Sequence, residues 1–165
     1  MITETVISLL FQCFSLIAGV YIAFAKYKNI YIISFLFNFA HLLLYILTDE
    51  KAAIVTYSII SIRSFIFCFY RNNKNLALPA FFSSMHIIFG FLTLTSPIQV
   101  ITIITPCITT FNSYMSENEK QIRIGNIVTN SLWAFYNLTL GLYILIIMRL
   151  IVISANIISI LIEKK

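Results

Sequence analysis

The 165-residue chain is 60 % hydrophobic and only 10 % charged, whereas soluble domains carry about 25 % charged residues. No water-soluble fold of this size has an interior that can hide so much apolar surface. Composition therefore excludes a soluble domain and implies an integral membrane protein, a single domain over residues 1–165 with the lipid bilayer as its solvent. The net charge of +5 does not indicate nucleic acid, because the bases fall in ones and twos between apolar runs with no basic patch among exposed aromatics. Membrane orientation explains that distribution better.

A spanning helix needs roughly 20 apolar residues. Seven stretches qualify: 5–25, 29–48, 51–70, 75–94, 98–116, 121–139 and 142–162. Residues 1–25 lack a basic residue ahead of the apolar run and have two lysines after it, flanks that suit a first span rather than a cleaved signal peptide. The connections KYKN, TDEK, RNNKN, TSP and SENEKQ carry the charged and turn-forming residues. The weakest boundary lies near Gly141, where residues 121–162 are almost continuously apolar but too long for one span. With seven spans, Lys26, Lys28, Arg71, Lys74, Lys120, Arg123, Lys164 and Lys165 fall on one side and only Lys51 on the other. The basic side is expected in the cytoplasm of a bacterial inner membrane, with the N-terminus outside and the C-terminus inside.

Polar residues inside the spans are arranged in stripes. Asn126, Asn130, Trp133 and Asn137 recur at i, i+4, i+7 and i+11, one face of a helix. Ninety-two positions earlier Ser34, Asn38, His41 and Tyr45 repeat the spacing. That offset lays spans 1–3 over spans 5–7 and leaves the fourth as a linker. The expected fold is an all-α membrane protein arranged 3+1+3: a three-helix unit at 5–70, a linker helix at 75–94 and a second unit at 98–162. Both copies would insert in the same orientation, as a parallel repeat. Further stripes on span 1 (Ser8, Gln12, Ser15, Gly19), span 3 (Tyr57, Ser61, Ser64, Cys68) and span 5 (Thr105, Thr109, Asn112, Ser116) read as helix–helix contacts.

Asparagines, a mid-span tryptophan and charged residues are costlier in lipid. Asn130, Trp133 and Asn137 either line a cavity or tie helices together. His41 is a structural histidine or a proton carrier. Arg63 lies about 10 Å from the basic end of its span and is expected to snorkel to the headgroups. Arg149 lies about 10 Å below the opposite end of span 7, on the side otherwise poor in bases. All six acids (Glu4, Asp49, Glu50, Glu117, Glu119, Glu163) sit at span ends, so Arg149 needs an asparagine, a carbonyl, water, Asp49 or an anionic ligand. Asn156 shares its helix face. Pro106 interrupts span 5, as a hinge or a static kink. Cys13, Cys68 and Cys107 lack metal-ligand spacing and read as buried free thiols. No metal or cofactor motif and no catalytic constellation is present, so no enzyme is expected.

On its short length, the segment FNFAHLLLYIL followed by Arg63, and NSLWAFYN followed by Arg149, the chain resembles the YgjV-type inner-membrane proteins of bacteria. More distantly its 3+1+3 plan is similar to that of the SWEET sugar transporters, PQ-loop proteins and PnuC-type vitamin transporters. The SWEET resemblance implies a pocket built from a tryptophan on the second helix of each unit and an asparagine on the third. Trp133 matches the first role, and Arg149, or Asn156, falls near the second. His41 and Tyr57 take those places in the first unit. The PQ dipeptide is missing.

These readings lead to a transporter or facilitator of a small polar or anionic solute. Its pathway would be lined by Asn38, His41, Asn130, Trp133, Asn137, Arg149 and Asn156 and would open by rocking of one unit against the other. The alternative is a non-transporting scaffold or sensor subunit whose stripes are structural. Duplicated units let one chain complete a pathway, and the oligomeric state stays open.

Overall fold

A computed structural model describes residues 2–26, 29–70 and 76–163, with side chains from residue 7 onward. Seven α-helices account for most of them: α1 (Ile2–Phe24), α2 (Ile30–Leu47), α3 (Lys51–Tyr70), α4 (Ala77–Thr93), α5 (Ile101–Met115), α6 (Glu119–Thr139) and α7 (Tyr143–Ile162). A 3-10 turn, Pro97–Val100, runs directly into α5. The order of packing follows the chain: α1 lies on α2, α2 on α3, α5 on α6 and α6 on α7. Contacts of α3 with α5 and of α1 with α7 close the six into a ring, and α4 lies against α3 and α5.

The distribution of side chains suits lipid. Ile17, Phe69, Leu92, Ile147 and Leu161 are each more than half exposed, while Arg63, Arg123 and Arg149 are buried. An exterior so apolar around a polar interior is stable only where the surroundings are apolar too. By length and composition alone, α1, α2, α3 and α7 qualify as membrane-crossing helices. The other three fall short for separate reasons. The 17 residues of α4 and the 15 of α5 are short, although the 3-10 turn brings the second of these to about 30 Å. Charged residues at its start and asparagines on its inner face lower the hydropathy of α6.

Two tight turns hold neighbouring helices antiparallel. After α6, Gly141 adopts φ 70. Its N–H donates to the Leu138 carbonyl at 3.2 Å, and that of Leu142 to the Asn137 carbonyl at 3.0 Å. This paired bonding around a left-handed residue satisfies the last carbonyls of a helix, and it divides the long apolar stretch 121–162 near Gly141. After α2 the same arrangement recurs at Asp49, φ 52, where Asp49 donates to Ile46 and Glu50 to Tyr45. Asn118 caps α6, its side chain accepting from the Gln121 N–H at 3.0 Å.

Several expectations for individual side chains change in three dimensions. Arg63 does not snorkel: it is only 3 % exposed and donates inward to Thr110 Oγ1 at 2.6 Å. Arg123, read from sequence as a connecting-loop base, is also buried. Its Nε donates to the Ala23 carbonyl in the last turn of α1 at 2.8 Å, and its guanidinium pairs with Glu119 and Glu163. One side chain thus joins the ends of α1, α6 and α7. The cysteines are free, but Cys13 is exposed and Cys68 and Cys107 are half-buried, because Cys13 falls on the outer face of α1. Lys28, Arg71, Lys74, Lys164 and Lys165, which carry much of the orientation argument, lie outside the described residues.

At Gly141 a Cβ would meet no neighbour within 4 Å, so substitution there tests backbone conformation alone. Gly141→Ala is expected to lower stability by about 1 kcal/mol, with Asp49→Gly neutral or stabilising. Denaturant unfolding in micelles measures both, and an unchanged Gly141→Ala would remove the turn from the account.

Candidate functional site

A guanidinium in a lipid-embedded interior must find donors' partners or face water. Arg149, in the second turn of α7, is 2 % exposed. Its Nη1 donates to Asn130 Oδ1 at 3.0 Å and its Nη2 to Tyr57 Oη at 2.6 Å. The guanidinium carbon lies 5.4 Å from the ring centre of Phe37 and 5.9 Å from that of Trp133. Two hydrogen bonds to a charged group, at about 1.5–3 kcal/mol each, together with the ring contacts, outweigh the about 2.5–3.5 kcal/mol of placing an arginine at mid-membrane. No carboxylate takes part. Asp49, an acid within the sequence's set of candidate partners, instead lies exposed in the turn after α2.

Below Arg149 lies a central cavity of about 70 Å³, bounded by residues of α1, α2, α3, α5, α6 and α7. Trp133, Tyr57 and Arg149 line one end, and Ile30 and Ile122, at the starts of α2 and α6, the other. Polar walls come from Asn38, Asn126, Asn130 and Ser64, with Asn38 Nδ2 bonded to Ser64 Oγ at 3.3 Å. Arg63 lines the cavity from α3. Its Nη1 is held by Thr110 Oγ1 and, at 3.4 Å, by the Pro106 carbonyl.

Among the residues singled out by sequence, Asn38, Asn130, Trp133 and Arg149 therefore meet at one cavity. The remaining four take other positions. His41 is buried behind Arg149, with Nδ1 2.6 Å from Ser15 Oγ and 3.0 Å from the Phe37 carbonyl. Its ring stacks on Tyr57 at 5.4 Å. Asn137 lies nearer the end of α6, accepting from Tyr45 Oη at 2.7 Å. Asn156 donates to the Val152 carbonyl of its own helix and borders no part of the cavity. Pro106 sits inside α5; the Thr102 carbonyl, which its missing N–H leaves without the usual helical bond, accepts from Thr56 Oγ1 of α3 at 3.1 Å.

Sequence reasoning missed Arg63 and Phe37 as site residues. Arg63 shares a helix face with Thr56, Ile60 and Phe67, the buried face of α3, and that spacing was the available signal. Phe37 carries no polar mark; its role follows only from the approach of α2 to α7.

Above the cavity the aromatic rings form a plug. Tyr57 packs between His41 and Tyr45, with centroids 5.4 and 5.3 Å away, and Trp133 contacts Tyr57 at 4.9 Å and Tyr136 at 5.5 Å. Tyr136 Oη then donates to Glu50 Oε1 at 2.8 Å, which also accepts from Gln99 Nε2 at 3.1 Å. This arrangement can hold a small solute with polar or negative groups against Arg149 while aromatic rings exclude water from the Glu50 end.

The Tyr57–Arg149 bond is testable by a double-mutant cycle. Tyr57→Phe is expected to destabilise the protein by about 1.5–3 kcal/mol, and much less in an Arg149→Met background, where no charge needs the hydroxyl. Thermal or denaturant unfolding reads the coupling, and additive effects would mean that the two side chains do not depend on one another.

No curated protein and no solved structure matches the chain. The Imp-YgjV family model, described as bacterial inner membrane protein, matches residues 6–163. A match over nearly the whole length, on a chain whose exterior is apolar and whose Arg63, Arg123 and Arg149 are buried, places this protein in the Imp-YgjV family of bacterial inner membrane proteins.

Proposed function

We propose that the protein transports, or facilitates the passage of, a small polar or anionic solute, without enzymatic chemistry, by alternating access between two three-helix repeats. The observation that carries this reading is the cavity lined by α1–α3 and α5–α7 together, with Arg149 at its head and no carboxylate beside it among the described residues. A site between two units that can rock against one another is the arrangement such transporters use.

Support for the repeat comes from three separate features spaced by 92 residues. Tyr45 bonds Asn137, and Arg149 bonds Tyr57, each pair 92 apart. The positive-φ residues among those described, Asp49 and Gly141, have the same separation and the same turn bonding. Residues equivalent under a two-fold rotation touch one another when they lie near the axis, so these bonds suit two three-helix units in a 3+1+3 plan of seven spans. The cavity extends toward the end of the bundle that carries Lys26, Lys120 and Arg123, the cytoplasmic side in an N-out, C-in orientation. The plug of Tyr45, Tyr57 and Trp133 closes the other side. Movement at Pro106 would have to break the Thr56 and Arg63 contacts that brace α5.

Two observations favour the scaffold or sensor reading instead: the Asn137–Tyr45 bond and the bracing of Pro106 are ties between packed helices. Uptake into proteoliposomes separates the two. Trp133→Ala and Arg149→Ala are expected to abolish uptake of the transported solute while inserting normally, and unaltered uptake by both would end the assignment of this pathway. If no member of a panel of sugars, organic acids, nucleosides and vitamins enters, and Arg149→Ala is simply less stable, the scaffold reading replaces it.

A further inference from the structure

Two cations face one cavity without a counter-charge. Arg149 and Arg63 are 2 % and 3 % exposed, and both line the space between α3 and α7. The Nε of each has no hydrogen-bond partner among the described residues. Among the described residues no aspartate or glutamate lines the cavity. The nearby acids are committed elsewhere, Glu119 and Glu163 to Arg123 and Glu50 to Tyr136 and Gln99. A buried charge left without a counter-charge is costly.

We infer that the cavity is a binding site for a compact oxyanion, a carboxylate, sulfate or phosphate group drawn in by Arg149 and Arg63, the cations of its wall. The inference deepens the transport reading of the same cavity by naming the chemistry of its ligand. Phe37 and Trp133 cover the guanidinium of Arg149, while Tyr57 and Asn130 hold its Nη atoms. Each Nη carries a second N–H beyond those bonds, and the planar fork of an arginine matches two oxygens of an oxyanion. Ser34 of the wall adds a hydroxyl donor. Size sets a second limit. One water needs about 10–15 Å³ of such space, so a cavity of about 70 Å³ suits a ligand as large as about five waters. Sulfate, phosphate, oxalate and malonate are of that order; larger sugars and nucleosides are not.

The test uses the purified full-length protein in detergent, with binding followed by thermal stability and by equilibrium titration. Sulfate, phosphate, oxalate and malonate are the probes, and glycerol and urea the neutral controls. At least one oxyanion is expected to raise the unfolding midpoint saturably, with neither neutral solute doing so. Arg149→Gln and Arg63→Gln are each expected to weaken that binding by about tenfold or more. Because loss of a buried guanidinium can itself unfold the protein, Asn126→Asp supplies an independent arm. It places a carboxylate on the cavity wall and is expected to match or exceed the native midpoint while abolishing the oxyanion effect. No oxyanion response in the native protein, or an undiminished response in Asn126→Asp, overturns the inference. Trp133-dependent uptake of a neutral solute without oxyanion binding overturns it and leaves the transport reading standing. Oxyanion binding with no uptake into proteoliposomes does the reverse.

Discussion

A buried guanidinium without a carboxylate is the constraint on which this architecture turns. Arg149 comes from α7, but everything that makes its burial tolerable comes from elsewhere: Tyr57 from α3, Asn130 and Trp133 from α6, and Phe37 from α2. Satisfying one charge therefore requires four helices to converge at one level. Convergence at that level also explains the small residues nearby. Gly19 of α1 lies where a Cβ would come within 3 Å of both Val152 and Phe37, so any larger residue would push α1 away from α2 and α7.

A second arginine repeats the logic at each of two other places. Arg63 ties α3 to α5 through Thr110 and the Pro106 carbonyl, and Arg123 ties α1, α6 and α7 at the Lys26 end. In an apolar solvent the gain from burying hydrocarbon between helices largely disappears, because lipid tails are equally apolar. Polar ties and close packing must then specify which helices are neighbours. Ser15–His41 joins α1 to α2 and Asn112 Nδ2 bonds the Ile122 carbonyl between α5 and α6, so among the described residues polar ties are sparsest where α4 meets α3 and α5. There Cys107 Sγ approaches the Ser83 carbonyl at only 3.8 Å.

Positions 92 residues apart differ in chemistry. Asn38 and Asn130 occupy matching places, but one bonds Ser64 and the other Arg149. His41 stands where the second half has Trp133, and Tyr57 where it has Arg149. These differences leave Arg149 at one end of the cavity with no matching cation at position 57.

Composition and periodicity determined much of this protein. Apolar run lengths marked seven helices to within a few residues, the stripes marked the inward faces of α2 and α6, and the scarcity of acids inside the spans marked Arg149 as unpaired by charge. These features are local, set by the medium and by the 3.6-residue helical period. Tertiary structure alone decided which polar residues share a space. Asn137 and Asn156 look equivalent to Asn130 in sequence, yet one bonds Tyr45 and the other its own backbone, because a helix face turns through several neighbours along its length. It also decided that Arg63 points inward: snorkelling and burial place identical demands on the sequence. The choice depends on whether Thr110 and the Pro106 carbonyl lie within reach across the bundle.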